Sequence, residues 1–286
     1  MNYISISQAA TKFNVSDRYV RKLCTEGMIV GAVKVGNVWI IPENATISSK
    51  PSINIIFGGD DDVGFEFAVY LIEKGEKVCF ISNSESQILK IVKHAQSKLL
   101  FVYNIDASNE DEIKKIQKDL SKYQISKLIF AENNARFDKA EDNTLGSIIK
   151  NFRSPIYSTV LATSIFYPLM MNTTIIAILH TKATTVGLPN ETAFSAAYHG
   201  MNGFLDSVNA ALQKEDKINN ILKVYTGSIE SKFWYSEDAK NVVNIAMENK
   251  IPPKDLATIA IDTLNSKNSL AVSEIHVRRI KKWAIL

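Results

Sequence analysis

A run of strand-forming residues, Ile53–Phe57, feeds a glycine loop, Gly58-Gly59-Asp60-Asp61-Asp62-Val63-Gly64, and that loop feeds a helix-forming stretch, Phe65–Lys74. A strand, a glycine-rich turn and a helix in this order make an anion site. The turn lets the backbone approach a phosphate, and the first helical N–H groups face it. Here three carboxylates occupy the place of the anion. Near a surface, each would repel a close phosphate charge by about 1–4 kcal/mol. A carboxylate at a helix start also has an ordinary use, because it accepts free N–H groups and suits the helix dipole. The loop therefore reads as a phosphate cradle filled by its own aspartate. Three adjacent aspartates lack the alternating spacing of a calcium loop, and no metal site is expected.

The turn sits at the start of a longer pattern. Apolar runs at Ile53–Phe57, Val78–Ser82, Leu99–Asn104, Leu128–Ala131, Thr174–His180, Leu222–Thr226 and Leu270–Val277 alternate with amphipathic helical stretches. Alternation of this kind predicts an α/β fold with a doubly wound parallel sheet. The stretch 158–179 is apolar but is broken by Pro168, Asn172 and several threonines, so it reads as a buried helix and strand and not as a membrane span. Cys24 and Cys79 are far apart and lack metal-ligand spacing. They are expected to be reduced and buried in a cytoplasmic protein, and no charged-then-apolar leader opens the chain.

Charge divides the chain. Six of its 33 basic and three of its 30 acidic residues fall in residues 1–50, a net of +3, which is the net charge of the whole chain. The rest is balanced, so an anionic partner is expected for the N-terminal head. Within the head, Ser5-Ile6-Ser7-Gln8 fits a capping box that opens a short helix. Ser16 can cap a second helix, Asp17–Thr25, with Val20, Leu23 and Cys24 on one face and Arg18, Arg21, Lys22 and Thr25 on the other. Gly36-Asn37 then joins two strands in a hairpin that sets Lys34 opposite Trp39. Two short helices and a small wing have the shape of a DNA-reading unit. The polar segment 45–52, with Pro51, is a linker. The expected domains are 1–44, the linker 45–52, and 53–286.

Residues Tyr3 to Asn44 resemble the excisionase-like branch of the MerR-type winged helix-turn-helix family. The resemblance rests on Ser7-Gln8-Ala9-Ala10, on 15–23, on Glu26-Gly27 and on 35–42. It implies that Ser16, Arg18, Tyr19, Arg21 and Lys22 contact double-stranded DNA from the recognition helix, and that Lys34, Asn37 and Trp39 do so from the wing. The alternative is a solvated basic face with Trp39 capping the small core.

From Ile53 to about Ile280 the chain resembles the short-chain dehydrogenase/reductase family, a Rossmann-type fold. Gly58, Asp62 and Gly64 fall where that family has Gly-x-x-x-Gly-x-Gly. Asp106 looks like the adenine-facing aspartate, Asn133-Asn134-Ala135-Arg136 like the Asn-Asn-Ala-Gly motif, and Asn151 like the helix asparagine. The resemblance makes Gly58, Gly59, Asp62, Gly64, Asp106 and Asn133 the cofactor positions. It also exposes departures. Phe194 and Tyr198 stand where the family has Tyr-x-x-x-Lys, and Thr181 stands near the catalytic serine, with His180 beside it. A missing general acid costs about 10²–10⁴ in rate. Ser82-Asn83-Ser84 offers neither an acid for a ribose 2′-hydroxyl nor an arginine for a 2′-phosphate.

On these grounds the expected function is a DNA-binding regulator. Its reductase-like body would be catalytically degenerate and would serve as a dimerisation platform or small-molecule sensor. No cofactor is expected, with NAD(P) disfavoured by Asp60, Asp61 and Asp62. The alternative is an atypical NAD(P)-dependent short-chain oxidoreductase with an accessory DNA-binding head, and a protein-interaction scaffold is a third reading. The resemblance implies a homodimer or homotetramer formed through helices over 144–170 and 192–213.

Overall fold

The computed structural model describes residues 3–25, 28–29, 31–47, 50–59, 61–95, 98–132, 137–170, 172–180, 189–214, 220–231, 250–264 and 271–279. The chain forms two compact units, Met1–Pro51 and Ser52–Leu286.

In the first unit, β1 (Tyr3–Ile4) precedes α1 (Ile6–Phe13) and α2 (Asp17–Thr25), and the hairpin β2 (Val33–Val35) and β3 (Val38–Pro42) follows. The capping box forms as the spacing requires: Gln8 N–H donates to Ser5 Oγ at 3.2 Å, and Ser5 N–H donates to Gln8 Oε1 at 2.8 Å. Ser16 Oγ accepts from Tyr19 N–H at 3.3 Å and opens α2. Gly36 has φ +58°, a conformation that its missing Cβ permits, and it closes the hairpin with Lys34 opposite Trp39. Ala9, Val20, Leu23, Ile29 and Ile41 form the core of this unit.

The second unit is a seven-stranded sheet. Its strands are β4 (Ser52–Gly58), β5 (Val78–Ser82), β6 (Leu100–Asn104), β7 (Gln124–Ala131), β8 (Thr174–His180), β9 (Asn220–Thr226) and β10 (Glu274–Val277). Their order is β10-β9-β8-β7-β4-β5-β6, and every pairing is parallel. Strand order reverses between β4 and β7, so the crevice at their C-terminal ends is the topological switch point, where such sheets bind ligands.

Parallel strands covered on both faces read as continuous apolar runs, which is why these strands were legible. Ile53, Ile55 and Phe57 of β4 face one layer with α5 (Glu110–Asp119), α7 (Thr159–Phe166) and α8 (Thr192–Lys214). Ile56 faces the other layer, with α3 (Asp62–Glu73), α4 (Glu85–His94) and α9 (Pro253–Leu264). Phe57 stacks on Phe130 of β7 with centroids 5.3 Å apart, a contact worth about 0.5–1.5 kcal/mol beyond burial.

Two helical stretches differ from the sequence expectation, and β7 and β10 each start four residues away from the expected position, at Gln124 and Glu274. The helix expected at Phe65 starts at Asp62, because Asp61 caps it. The long helix expected over 144–170 is divided into α6 (Leu145–Phe152), a π-helical turn at Arg153–Ser158, and α7. Pro155 lies in that turn and lacks the N–H that an α-helical ladder needs. Both cysteines are free and buried, and burial raises their thiol pKa values.

Candidate functional site

The glycine loop is built on close backbone packing between β4 and α3. A Cβ on Gly64 would lie 2.7 Å from Gly58 Cα, and a Cβ on Gly58 would meet the Phe80 ring at 2.8 Å. The two glycines let the helix start directly above the strand, so its first N–H groups rim the crevice. Asp61 Oδ1 accepts from Val63 N–H at 3.1 Å and caps α3 from a buried position.

Asp62 behaves differently from its sequence reading. It belongs to the first turn of α3, and its Oδ1 lies 2.8 Å from Lys90 Nζ and 3.0 Å from Gln87 Nε2, both on α4. Lys90 also sits over the Phe65 ring at 3.9 Å. One of the three carboxylates is therefore drawn to α4 and offset by a cation, so the expected repulsion of a phosphate is smaller than the sequence suggests. Asp60 lies outside the described residues.

Across the switch point, the C-terminal end of β8 meets α8. His180, Phe194 and Tyr198 pack as a three-ring cluster, with centroids 5.2 Å (His180–Phe194), 5.0 Å (His180–Tyr198) and 4.7 Å (Phe194–Tyr198). Phe137 closes on Phe194 at 5.1 Å. Burial pushes the His180 imidazole down to about 4, so it is neutral at physiological pH. Burial also pushes the Tyr198 phenol far up, and the carboxylates of Asp61 and Glu132 push it in the same direction. The two matching positions thus hold a phenyl ring and a neutral phenol. Neither offers a proton at pH 7 as readily as an activated tyrosine would.

Asn151 is buried at the last turn of α6, directly before the π-helical turn. Turns of this kind recur at functional sites. Asp106, beyond β6, accepts from Ser108 N–H at 2.9 Å and Ser108 Oγ at 2.7 Å, and Arg153 Nη1 lies 3.5 Å from its other oxygen. Burial raises its pKa, but the Ser108 bonds and Arg153 outweigh that and hold the carboxyl below its ordinary value. Gly58 and Gly59 are buried at the end of β4. Asn133 and Thr181 lie outside the described residues, as does Arg136.

Sequence reasoning missed Lys90, Gln87 and Arg153. The first two are 28 and 25 residues from Asp62 on another helix, and only the fold brings them to it. Arg153 had a faint signal, two positions after Asn151.

In the head, Ser16, Arg18 and Arg21 are exposed along α2, and Lys34 and Asn37 are exposed on the hairpin. Tyr19 and Lys22 are half-buried. Trp39 is half-buried and packs against the head's core, as the core-capping alternative requires.

The family profile of the short chain dehydrogenases matches residues 52–241. No curated protein matches the chain. Among solved structures, the chain is similar to an alcohol dehydrogenase from the archaeon Thermococcus sibiricus complexed with 5-hydroxy-NADP. The TM-score is 0.69 at 12% identity, over 81% of this chain and 98% of that one. It is also similar to the closed form of a serine dehydrogenase complexed with NADP+, with a TM-score of 0.69 at 15% identity, over 82% of this chain and 98% of that one. A short-chain dehydrogenase/reductase from Vibrio parahaemolyticus superposes with a TM-score of 0.67 at 17% identity, over 79% and 100%.

These findings correct two expectations. The regulator reading placed the protein's work in residues 1–44, but the family match lies on the body, and the solved neighbours are dehydrogenases and reductases. The expectation that no cofactor is used leaned on Asp60, Asp61 and Asp62 as a repulsive set. Asp61 is spent on the helix cap and Asp62 on Lys90, and two of the structural neighbours carry an NADP-type dinucleotide.

Proposed function

The chain belongs to the short-chain dehydrogenase family, and from that premise we propose that it is an atypical NAD(P)-dependent oxidoreductase. The observation that carries this reading is the Gly58–Gly64 contact at the switch point, where the backbone has no side chain in the way of a pyrophosphate. A buried hydroxyl supports the fit: Thr226 Oγ1, at the C-terminal end of β9, has no hydrogen-bond partner among the described residues. An unsatisfied buried polar atom costs about 1–3 kcal/mol, and a ligand at this edge can recover it. A bound nicotinamide would supply the hydride. The protein's share is to bind the dinucleotide, orient it and exclude water.

Phe194 in place of a tyrosine supports slow turnover of ordinary carbonyl substrates, because no group at that position gives up a proton. The test is a thermal-shift titration with NAD(H) and NADP(H), followed by a hydride-transfer screen with whichever binds. Absence of any shift at millimolar dinucleotide sinks the reading.

The Asp62–Lys90 pair makes a second expectation. Both side chains are more than a third exposed, so the pair adds only about 0–1 kcal/mol to stability. Lys90→Ala should leave the melting temperature almost unchanged. It should weaken dinucleotide binding several-fold, since the Asp62 carboxylate is then uncompensated near the phosphates. Equal affinity in calorimetric titration would show that Asp62 does not act on the ligand.

Assembly through α6 and α8 is part of the same proposal. Leu145, Ile148, Ile149 and Tyr157 are exposed apolar residues on α6 and the adjoining π-helical turn, with Leu145 74% accessible. Their clustering supports a self-complementary contact in a homodimer or homotetramer. Ile149→Arg should shift the mass measured by light scattering toward the monomer, and an unchanged mass argues against this face. For the head, the exposed Arg18, Arg21 and Lys34 support an accessory contact with an anionic partner such as double-stranded DNA. A gel shift with no retardation at low salt removes that role.

A further inference from the structure

The small sheet of the first unit has an apolar face that its own core does not cover. Directly paired residues share a face, and successive pairs alternate between the two faces. Ile4 with Ile41 and Lys34 with Trp39 form one face, and Ile4, Ile41 and Trp39 pack into the head's core. Tyr3 with Pro42, Val33 with Ile40 and Val35 with Val38 form the other. On that outer face Tyr3, Val33, Val35 and Val38 are each more than half exposed. In the strand order β1-β3-β2, β2 is an edge, and among the described residues it pairs with β3 alone. All three of its residues are exposed. The edge thus offers a row of backbone groups, two valines on the outer face and one lysine between them.

We propose that β2 takes up an extended segment of a partner protein as a fourth strand, one that carries an acidic residue between two apolar ones. An added strand satisfies the edge backbone, and its alternate side chains give selectivity. Partner residues opposite Val33 and Val35 lie on the outer face and meet valines, so apolar side chains suit them. The partner residue opposite Lys34 meets a cation, so a carboxylate suits it. The net charge of +3 over residues 1–50 favours an acidic segment over a basic one. Lys34 also disfavours a second copy of this chain. The two-fold antiparallel register that pairs all three residues of β2 sets Lys34 against its own copy, and like charges directly opposite are destabilising. A lysine guards an edge strand in this way, but it does not guard against an acid. Duplex DNA is a poorer match, because an outer face of valines offers its phosphates no cation. The site lies on a different element from Arg18 and Arg21, and the inference is independent of the oxidoreductase reading.

The test uses the full chain and fluorescently labelled synthetic peptides, read by polarisation. One peptide alternates valine with glutamate. A second alternates valine with lysine. A third has the composition of the first, with its valines and glutamates in separate blocks. The native protein should bind the valine–glutamate peptide about 3- to 10-fold more tightly than either of the others. A central proline in that peptide, which removes a ladder donor, should abolish binding. Lys34→Glu changes an exposed residue, so the variant should fold, and a melting curve checks that. It should reverse the order of the valine–glutamate and valine–lysine peptides. Equal affinity for those two, or an order that Lys34→Glu leaves unchanged, would overturn the proposal. Full binding of the block peptide or of the proline peptide would overturn it as well, by showing that charge alone attracts them. Binding of no peptide at millimolar concentration would also overturn it. If duplex DNA then bound in a way that required Lys34, the edge would belong to a nucleic-acid contact instead.

Discussion

Replacing Gly64 by valine is expected to lower the melting temperature of the body by roughly 2–12 °C and to abolish dinucleotide binding. The reason is the partner that a side chain at 64 would meet. Its Cβ would lie 2.7 Å from Gly58 Cα and 3.6 Å from Gly58 N, both backbone atoms of a central strand. No rotamer change relieves such a contact, so α3 must move off β4, and the N–H groups at its start move with it. Overpacking of this kind costs about 1–3 kcal/mol or more. For a domain of this size each kcal/mol shifts the melting temperature by about 2–4 °C. Gly58→Ala should cost less, because its Cβ meets the Phe80 side chain at 2.8 Å and the nearest backbone atom, Gly64 Cα, only at 3.5 Å. Gly203→Ala, inside α8 with nothing within 4 Å, should stabilise by about 0.5–1 kcal/mol through helix propensity. Thermal denaturation of the three variants checks the order. A Gly64→Val protein as stable as Gly58→Ala would show that the strand–helix contact is not tight.

The same loop shows what a sequence can and cannot convey. Gly58 and Gly64 were legible as a pair, because a tight approach leaves glycine as the only residue that fits. The inner parallel strands β4, β5, β8 and β9 were legible because both of their faces are covered, which imposes long apolar runs. The charge state of the loop was not legible. Asp60, Asp61 and Asp62 look alike in one dimension, yet Asp61 turns inward onto Val63 N–H and Asp62 turns outward to Lys90 and Gln87. Which way each points depends on α4, a helix placed by the crossover after β5, and no local pattern encodes it. The break at Arg153–Ser158 was hidden for a related reason. Pro155 was in view, but the run around it is apolar enough to read as one helix. The weight given to the head came from its dense local signals, a capping box, a hairpin and a basic face within 44 residues. Signals of that kind report local structure well. They say little about which part of a two-unit chain carries the activity, and the comparisons favour the body.

The aromatic cluster at His180, Phe194 and Tyr198 leads to the second large effect. Phe194→Tyr together with Tyr198→Lys should raise the rate of NAD(P)H-dependent carbonyl reduction by about 10²–10⁴, the contribution of a positioned general acid. The single change Phe194→Tyr should do little. A phenol at 194 would be buried beside neutral His180, and burial raises its pKa as it raises that of Tyr198. A lysine at 198 reverses the sign, since a nearby cation favours the phenolate and so makes the phenol a better donor. The site is prepared for that cation. Asp61 and Glu132, which oppose ionisation of Tyr198, would stabilise an ammonium held in the same place. Steady-state rates over a panel of carbonyl substrates, with melting curves to verify folding, decide the matter. A double variant that folds, binds dinucleotide and still turns over no faster than the native protein would show that the barrier is not proton transfer. The constraint would then be how the substrate sits against the ring cluster, and His180 and Phe137, which line it, would become the residues to vary.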